Sequence, residues 1–130
     1  MGLMAGYLLD TNVLIGWFGG HEKVAPLNAL LESPENRFHT SILCVAEFLA
    51  GCAQADARAL KRILEAGEIE MLPFGEFSQA VSAATLRKSL GLKMPDAIIA
   101  ATAKEKNLIL CTLDKVFAGK TAGQIKTHRF

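Results

Sequence analysis

Apolar and polar positions alternate along this chain in two periods. Tyr7-Leu8-Leu9 is a short unbroken apolar run that ends on Asp10-Thr11-Asn12, after which Val13, Leu14, Ile15 and Trp17 return at helical spacing. A strand covered on both faces reads as continuous apolar sequence, so this stretch predicts strand, polar turn, helix, with Thr11 or Asn12 placed to cap the helix. Gly19-Gly20 interrupts the pattern, and residues 22–32 resume it through Val24, Leu27, Leu30 and Leu31. Residues 37–40 predict a short second strand. Ser41 is a cap for a mostly apolar helix over 42–50, and an amphipathic helix follows over 55–66. Residues 69–72 predict a third strand, 77–90 a helix stopped by Gly91, and 95–103 a helix with Pro95 at its first position. Residues 108–114 repeat the opening design, an apolar run leading to a hydroxyl and a carboxylate. A polar loop over 115–121 anchored by Phe117 and a weak edge strand over 125–128 complete the chain. Strands alternating with helices predict an α/β fold, with helices covering both faces of a mostly parallel sheet.

At 130 residues and 51% hydrophobic content, the chain suits one domain spanning 1–130 with a well-buried core. No apolar run reaches the ~20 residues of a membrane span. Residues 1–6 lack the basic start of a secretory leader, so no membrane partner and a cytoplasmic location are expected. Cys44, Cys52 and Cys111 are odd in number and contain no Cys-x-x-Cys pair, which suggests small buried residues rather than disulfides or a zinc site. The net charge of +1 is unevenly distributed: residues 1–57 carry −4 and residues 58–130 carry +5. That asymmetry suits a polyanion lying across the second half, with Lys93, Lys115 and Lys120 flanking the candidate site.

Four carboxylates change the picture. Asp10 stands where an open α/β sheet binds its ligands, although a helix start alone also accounts for an acid there. Glu47 lies in an almost uncharged helix among Leu43, Ala50 and Gly51, and Asp96 shares its helix face with Ile99, Ala100 and Ala103. The helix dipole by itself favours Asp96 in a first turn, and Glu47 has no meaning if its face is wet. Asp114 falls where Asp10 does, at a strand exit. Bringing all four to one edge without a cation is costly, because like charges within ~4–6 Å raise one another's pKa. An all-oxygen site without His or Cys suits Mg²⁺ or Mn²⁺ and not Zn²⁺, and the chemistry such a site serves is phosphodiester hydrolysis by metal-activated water.

Leu-Leu-Asp10-Thr-Asn12, Glu47 in an apolar helix after Ser41, Pro95-Asp96-Ala-Ile-Ile-Ala-Ala, and Thr112-Leu-Asp114 with Phe117 together resemble the PIN-domain ribonucleases. Size and element order make the chain most similar to the VapC-like toxins of toxin–antitoxin pairs. The resemblance runs from about Tyr7 to Phe117. It implies a three-layer α/β/α sandwich in which Asp10, Glu47, Asp96 and Asp114 bind Mg²⁺ or Mn²⁺, with Thr112 supporting them and Asn12 as an auxiliary polar residue. It also implies endonucleolytic cleavage of RNA, a homodimer and a cognate antitoxin protein. Two rivals stand beside it. One is a catalytically silent PIN-like module that binds RNA or protein. The other is a phosphatase with Asp10 as nucleophile, a class that wants a second acid where this chain has Asn12.

Overall fold

The computed structural model describes residues 5–130, so most of the leader considered above lies outside the described residues. Five strands form one sheet: β1 (Ala5–Leu9), β2 (Asn36–Ser41), β3 (Glu70–Leu72), β4 (Ile109–Thr112) and β5 (Thr127–Arg129). Their order is β3-β2-β1-β4-β5 and every pairing is parallel, so the expected mostly parallel sheet is parallel throughout. Parallel neighbours need a crossover connection, and here each is helical. The helices are α1 (Thr11–Phe18), α2 (Pro26–Glu32), α3 (Ile42–Gly51), α4 (Gln54–Glu65), α5 (Phe77–Leu90), α6 (Met94–Lys106) and α7 (Lys115–Thr121). Right-handed crossovers put α1 to α4 on one face and α5 to α7 on the other, giving the three α/β/α layers. The direction of winding reverses between β1 and β4. Ligands of open α/β sheets bind at such a switch point, beyond the carboxyl ends of the strands.

The core follows the apolar runs. Leu8 and Leu9 of β1 and Leu110 and Cys111 of β4 are fully buried, with Val13 and Leu14 of α1 packed above them. On the other side Ala97, Ile99, Ala100, Ala101 and Ala103 of α6 are buried; their small side chains let α6 lie close to both the sheet and α5. Gly91 ends α5 in the left-handed region at φ 66°, a conformation that costs other residues strain, and so turns the chain tightly into α6. That turn sets where the first residues of α6, Asp96 among them, come to rest.

Three local expectations are corrected. Residues 115–121 form helix α7 rather than a loop: Asp114 accepts hydrogen bonds from the N–H groups of Val116 (2.9 Å) and Phe117 (3.0 Å), while Phe117 and Thr121 are buried as anchors. The pattern was disguised because Thr121 counts as polar yet donates its hydroxyl back to the Phe117 carbonyl. Residues 22–32 are divided by Pro26 into a 3₁₀ turn over Glu22–Val24 and helix α2. The cap of α1 is Asp10 rather than Thr11 or Asn12: its Oδ1 accepts from the Thr11 N–H at 2.8 Å.

Candidate functional site

The carboxyl edge of the two central strands is tied by one polar knot. Asp10 follows β1 directly and is only 5% exposed. Beyond its bond from Thr11, its Oδ2 accepts from the Thr112 hydroxyl at 2.8 Å and from Asn12 Nδ2 at 3.3 Å. Thr112 ends β4 with its side chain fully buried, and its Oγ1 also accepts from the Asp114 N–H at 3.0 Å and lies 3.3 Å from Asn12 Nδ2. Asn12 closes the knot by accepting the Leu113 N–H at Oδ1, 2.9 Å away. Every polar group here has a defined partner, which fixes the Asp10 carboxylate in one orientation.

Glu47 approaches the same edge from α3. The Thr11 hydroxyl donates to its Oε1 at 2.7 Å. Glu47 is exposed rather than facing inward as its helix neighbours suggested: the hydroxyl holds its carboxylate beside Asp10 from the wet side of α3. Asp96, in the first turn of α6, is partly buried, and Asp114 is exposed at the cap of α7. Cys44 is buried behind Thr11, and burial pushes its thiol up to about 11, so it stays protonated and takes no part as a nucleophile.

The charges of the four acids bear on one another. Burial raises the Asp10 carboxyl to about 6 from an ordinary 3.8, opposed by the hydrogen bonds from Thr112 and Thr11 and reinforced by the charges of Asp96 and Glu47. Asp96 is raised as well, first by burial and then by Asp114; Lys93 and Lys120 pull it back down while Glu47 adds to the rise. Among the described residues no three His, Cys, Asp or Glu side chains close up tightly enough to enclose an ion as they stand. Among the described residues the only contact within 4.0 Å between a carboxylate and a basic side chain is His39–Glu70, on β2 and β3. The donor set nonetheless fits a hard divalent cation. It is all oxygen, it comes from four separate elements, and Asp10 is buried with no Lys or Arg offsetting its charge.

All six residues singled out from the sequence therefore lie at one edge: Asp10, Asn12 and Thr112 in the knot, Glu47, Asp96 and Asp114 around it. Thr11 was passed over as a helix start. The signal for its second role, a hydroxyl one residue after a strand-terminal acid, is silent until α3 is seen beside α1. Of the flanking cations, Lys120 is committed to the Gly91 carbonyl at 2.9 Å.

The family model described as PIN domain matches residues 7–122. No curated protein matches the sequence. Among solved structures, a toxin–antitoxin complex from Klebsiella pneumoniae contains a chain 26% identical to this one with a TM-score of 0.71; the match covers 95% of this chain and 99% of that one. FitAcB from Neisseria gonorrhoeae is 29% identical with a TM-score of 0.67, covering 95% and 96%. VapBC2 from Rickettsia felis, bound to a DNA fragment from the promoter, shares the fold at 20% identity with a TM-score of 0.74, covering 96% and 98%.

Proposed function

The chain belongs to the PIN domain family, and from that premise we propose that it is a divalent-metal-dependent endoribonuclease and the toxin of a toxin–antitoxin pair. The observation that carries the proposal is the meeting of Asp10, Glu47, Asp96 and Asp114 at one sheet edge with Asp10 buried and uncompensated. The likeness to a chain of the toxin–antitoxin complex from Klebsiella pneumoniae supports an antitoxin partner, and a homodimer is part of the same reading. No helix of the described residues is long and apolar enough to cross a membrane.

Asp10, Glu47, Asp96 and Asp114 would together hold Mg²⁺ or Mn²⁺, which would supply the Lewis acidity to lower the pKa of water and offset charge on the attacked phosphate. The protein's own groups do the positioning. Thr112 and Asn12 fix Asp10 from below, the α7 N-terminus fixes one oxygen of Asp114 and leaves the other free, and Thr11 fixes Glu47. Lys93, beside Asp96, offers a charge to a scissile phosphate. Asp10, on this reading, acts as a ligand and not as a nucleophile, and the position where an aspartate-nucleophile phosphatase wants its second acid is held by Asn12. Hydrolysis with water as nucleophile leaves a 5′-phosphate and a 3′-hydroxyl.

The test is to incubate the protein and its Asp10→Asn variant with total cellular RNA in Mn²⁺, in Mg²⁺ and in chelator, and to map the new ends. Discrete, metal-requiring cuts bearing 5′-phosphates and lost in the variant are expected. Ends bearing 2′,3′-cyclic phosphate would show that the ribose hydroxyl attacks. No cleavage by folded, antitoxin-free protein under any condition would leave the silent binding module as the better reading.

A further inference from the structure

A second feature adjoins the acid edge without belonging to it. Between α7 and β5 runs an open groove of about 520 Å³, lined by Lys115, Lys126 and Arg129 together with Ala118, Gly119 and Ala122. Lys115, Ala118, Gly119 and Ala122 recur at the spacing of one helix face, so α7 presents a shallow floor with a cation at its upper end. A Cβ at Gly119 would meet nothing within 4 Å, so that floor is open. The facing wall is β5, where Arg129 pairs in register with Thr112 of the polar knot, and the carbonyl of Lys126 accepts the Leu110 N–H at 2.8 Å two residues further down the sheet. Lys115 follows Asp114 directly. The groove thus starts at the acid edge, with Lys115 and Arg129 on its two sides, and runs down the flank toward Lys126 over about 10 Å.

Charge identifies the occupant. Three cationic side chains line the groove, all exposed, and no carboxylate is among the lining residues. None of the three donates to a protein acceptor among the described residues, whereas Lys104 is bonded to Gln124 and Lys120 to Gly91. A cation row continuous with a carboxylate site that attracts metal ions fits one polymer whose phosphates are handed from one to the other. We infer that the α7–β5 groove binds the phosphate backbone of the RNA flanking the scissile bond, through Lys115, Lys126 and Arg129. The inference rests on the endoribonuclease reading and extends it from the cut phosphate to the neighbouring ones. Phosphate contacts give affinity and register without reading bases. Its footprint is therefore in how tightly RNA is held rather than in which sequence is cut.

The test uses a labelled oligoribonucleotide spanning a cut mapped in total RNA, and the double variant Lys126→Gln/Arg129→Gln, whose positions lie outside the acid site. With both charges removed, KM should rise roughly tenfold near physiological salt, and the slope of log affinity against log salt should fall by about 1.4, at ~0.7 per contact for a single strand. The maximal rate and the melting temperature should stay near those of the parent protein. Arg58→Gln/Lys61→Gln on α4 serves as the charge control and should leave KM and slope unchanged. If the parent protein cleaves but the double variant keeps its KM and salt slope, the groove assignment alone is overturned. If instead the double variant loses competition by poly-glutamate while its RNA KM is unchanged, an acidic polypeptide is the occupant and the inference is overturned in its favour. If the parent protein cleaves no RNA, the endoribonuclease reading fails and the inference with it.

Discussion

Asp10→Asn, the variant that should abolish cleavage, should also make the metal-free protein more stable at neutral pH. The Asp10 carboxyl is raised from 3.8 to about 6, so the folded state holds its proton more tightly than the unfolded chain does. Stability from this group is therefore present below the unfolded value and is lost as pH rises through 4 to 6; ionised at neutral pH, the buried carboxylate costs the fold about 3 kcal/mol. Asparagine removes the charge but not the geometry. Its amide nitrogen must face either the Thr11 N–H or the pair formed by the Thr112 hydroxyl and Asn12 Nδ2, a mismatch worth about 1–2 kcal/mol. The net gain is about 1–2 kcal/mol at pH 7.5, which for a chain of this length raises the melting temperature by roughly 3–8 °C. Thermal melts in chelator at pH 7.5 and pH 4 check both magnitude and sign. Near pH 4 the gain should vanish or reverse, since the wild-type carboxyl is then protonated and only the mismatch remains. A variant less stable than wild type at pH 7.5, or a gain of equal size at both pH values, would refute the account of Asp10 as an uncompensated buried charge.

Other consequences follow from the same contacts. Mn²⁺ or Mg²⁺ should raise the melting temperature of the wild type in a concentration-dependent way, by the equivalent of about 2.7 kcal/mol at a hundredfold excess over Kd, and that of Asp10→Asn far less; differential scanning calorimetry reads both. Thr11→Val should cost stability little more than about 1 kcal/mol, since its bond to Glu47 is exposed, yet weaken divalent-ion affinity several-fold in calorimetric titration, with Thr11→Ser restoring it. Thr112→Val strips Asp10 of its strongest donor and leaves the Asp114 N–H without its acceptor; a loss of about 1–3 kcal/mol is expected, and the fall of stability with rising pH, which ends near 6 in the wild type, should extend to higher pH. Gly16→Ala places a Cβ 2.8 Å from Val24 Cγ2, and urea unfolding should show a loss of about 1–3 kcal/mol from overpacking.

How much of this was legible in the sequence depended on whether the signal was local. β1 and β4 declare themselves because strands buried on both faces leave unbroken apolar runs, and α5 is bounded by Phe77 and Gly91 as its pattern says. Helix α7 was missed because a seven-residue helix with Gly119 and Thr121 has no apolar face long enough to see; its cap and buried anchors are tertiary facts. Asp10, Asp96 and Asp114 stood out by position, at strand exits and a helix start. For Asp10 the two readings weighed against each other are compatible, since it caps a helix and stands at the acid edge; Asp114, read only as a strand exit, proves to cap a helix as well. Glu47 reaches the acid edge by a route its helix did not suggest: it is exposed on α3, and a hydroxyl from another helix holds it beside Asp10. Long-range pairings of that kind leave no periodicity to read.

The polar knot joins residues about a hundred positions apart, Asp10 and Asn12 at one end of the chain to Thr112 and Leu113 near the other. During synthesis, which proceeds from the N-terminus at roughly 5–20 residues per second, Asp10 and Glu47 are complete for seconds before Thr112, Asp114 and the cations of the groove exist. A nascent or truncated chain ending before β4 carries an unsupported carboxylate on an unfinished sheet. The acid edge is therefore complete only once the fourth strand lies beside the first, and a chain that cuts RNA, as proposed above, would spend most of its own translation without the means to do so.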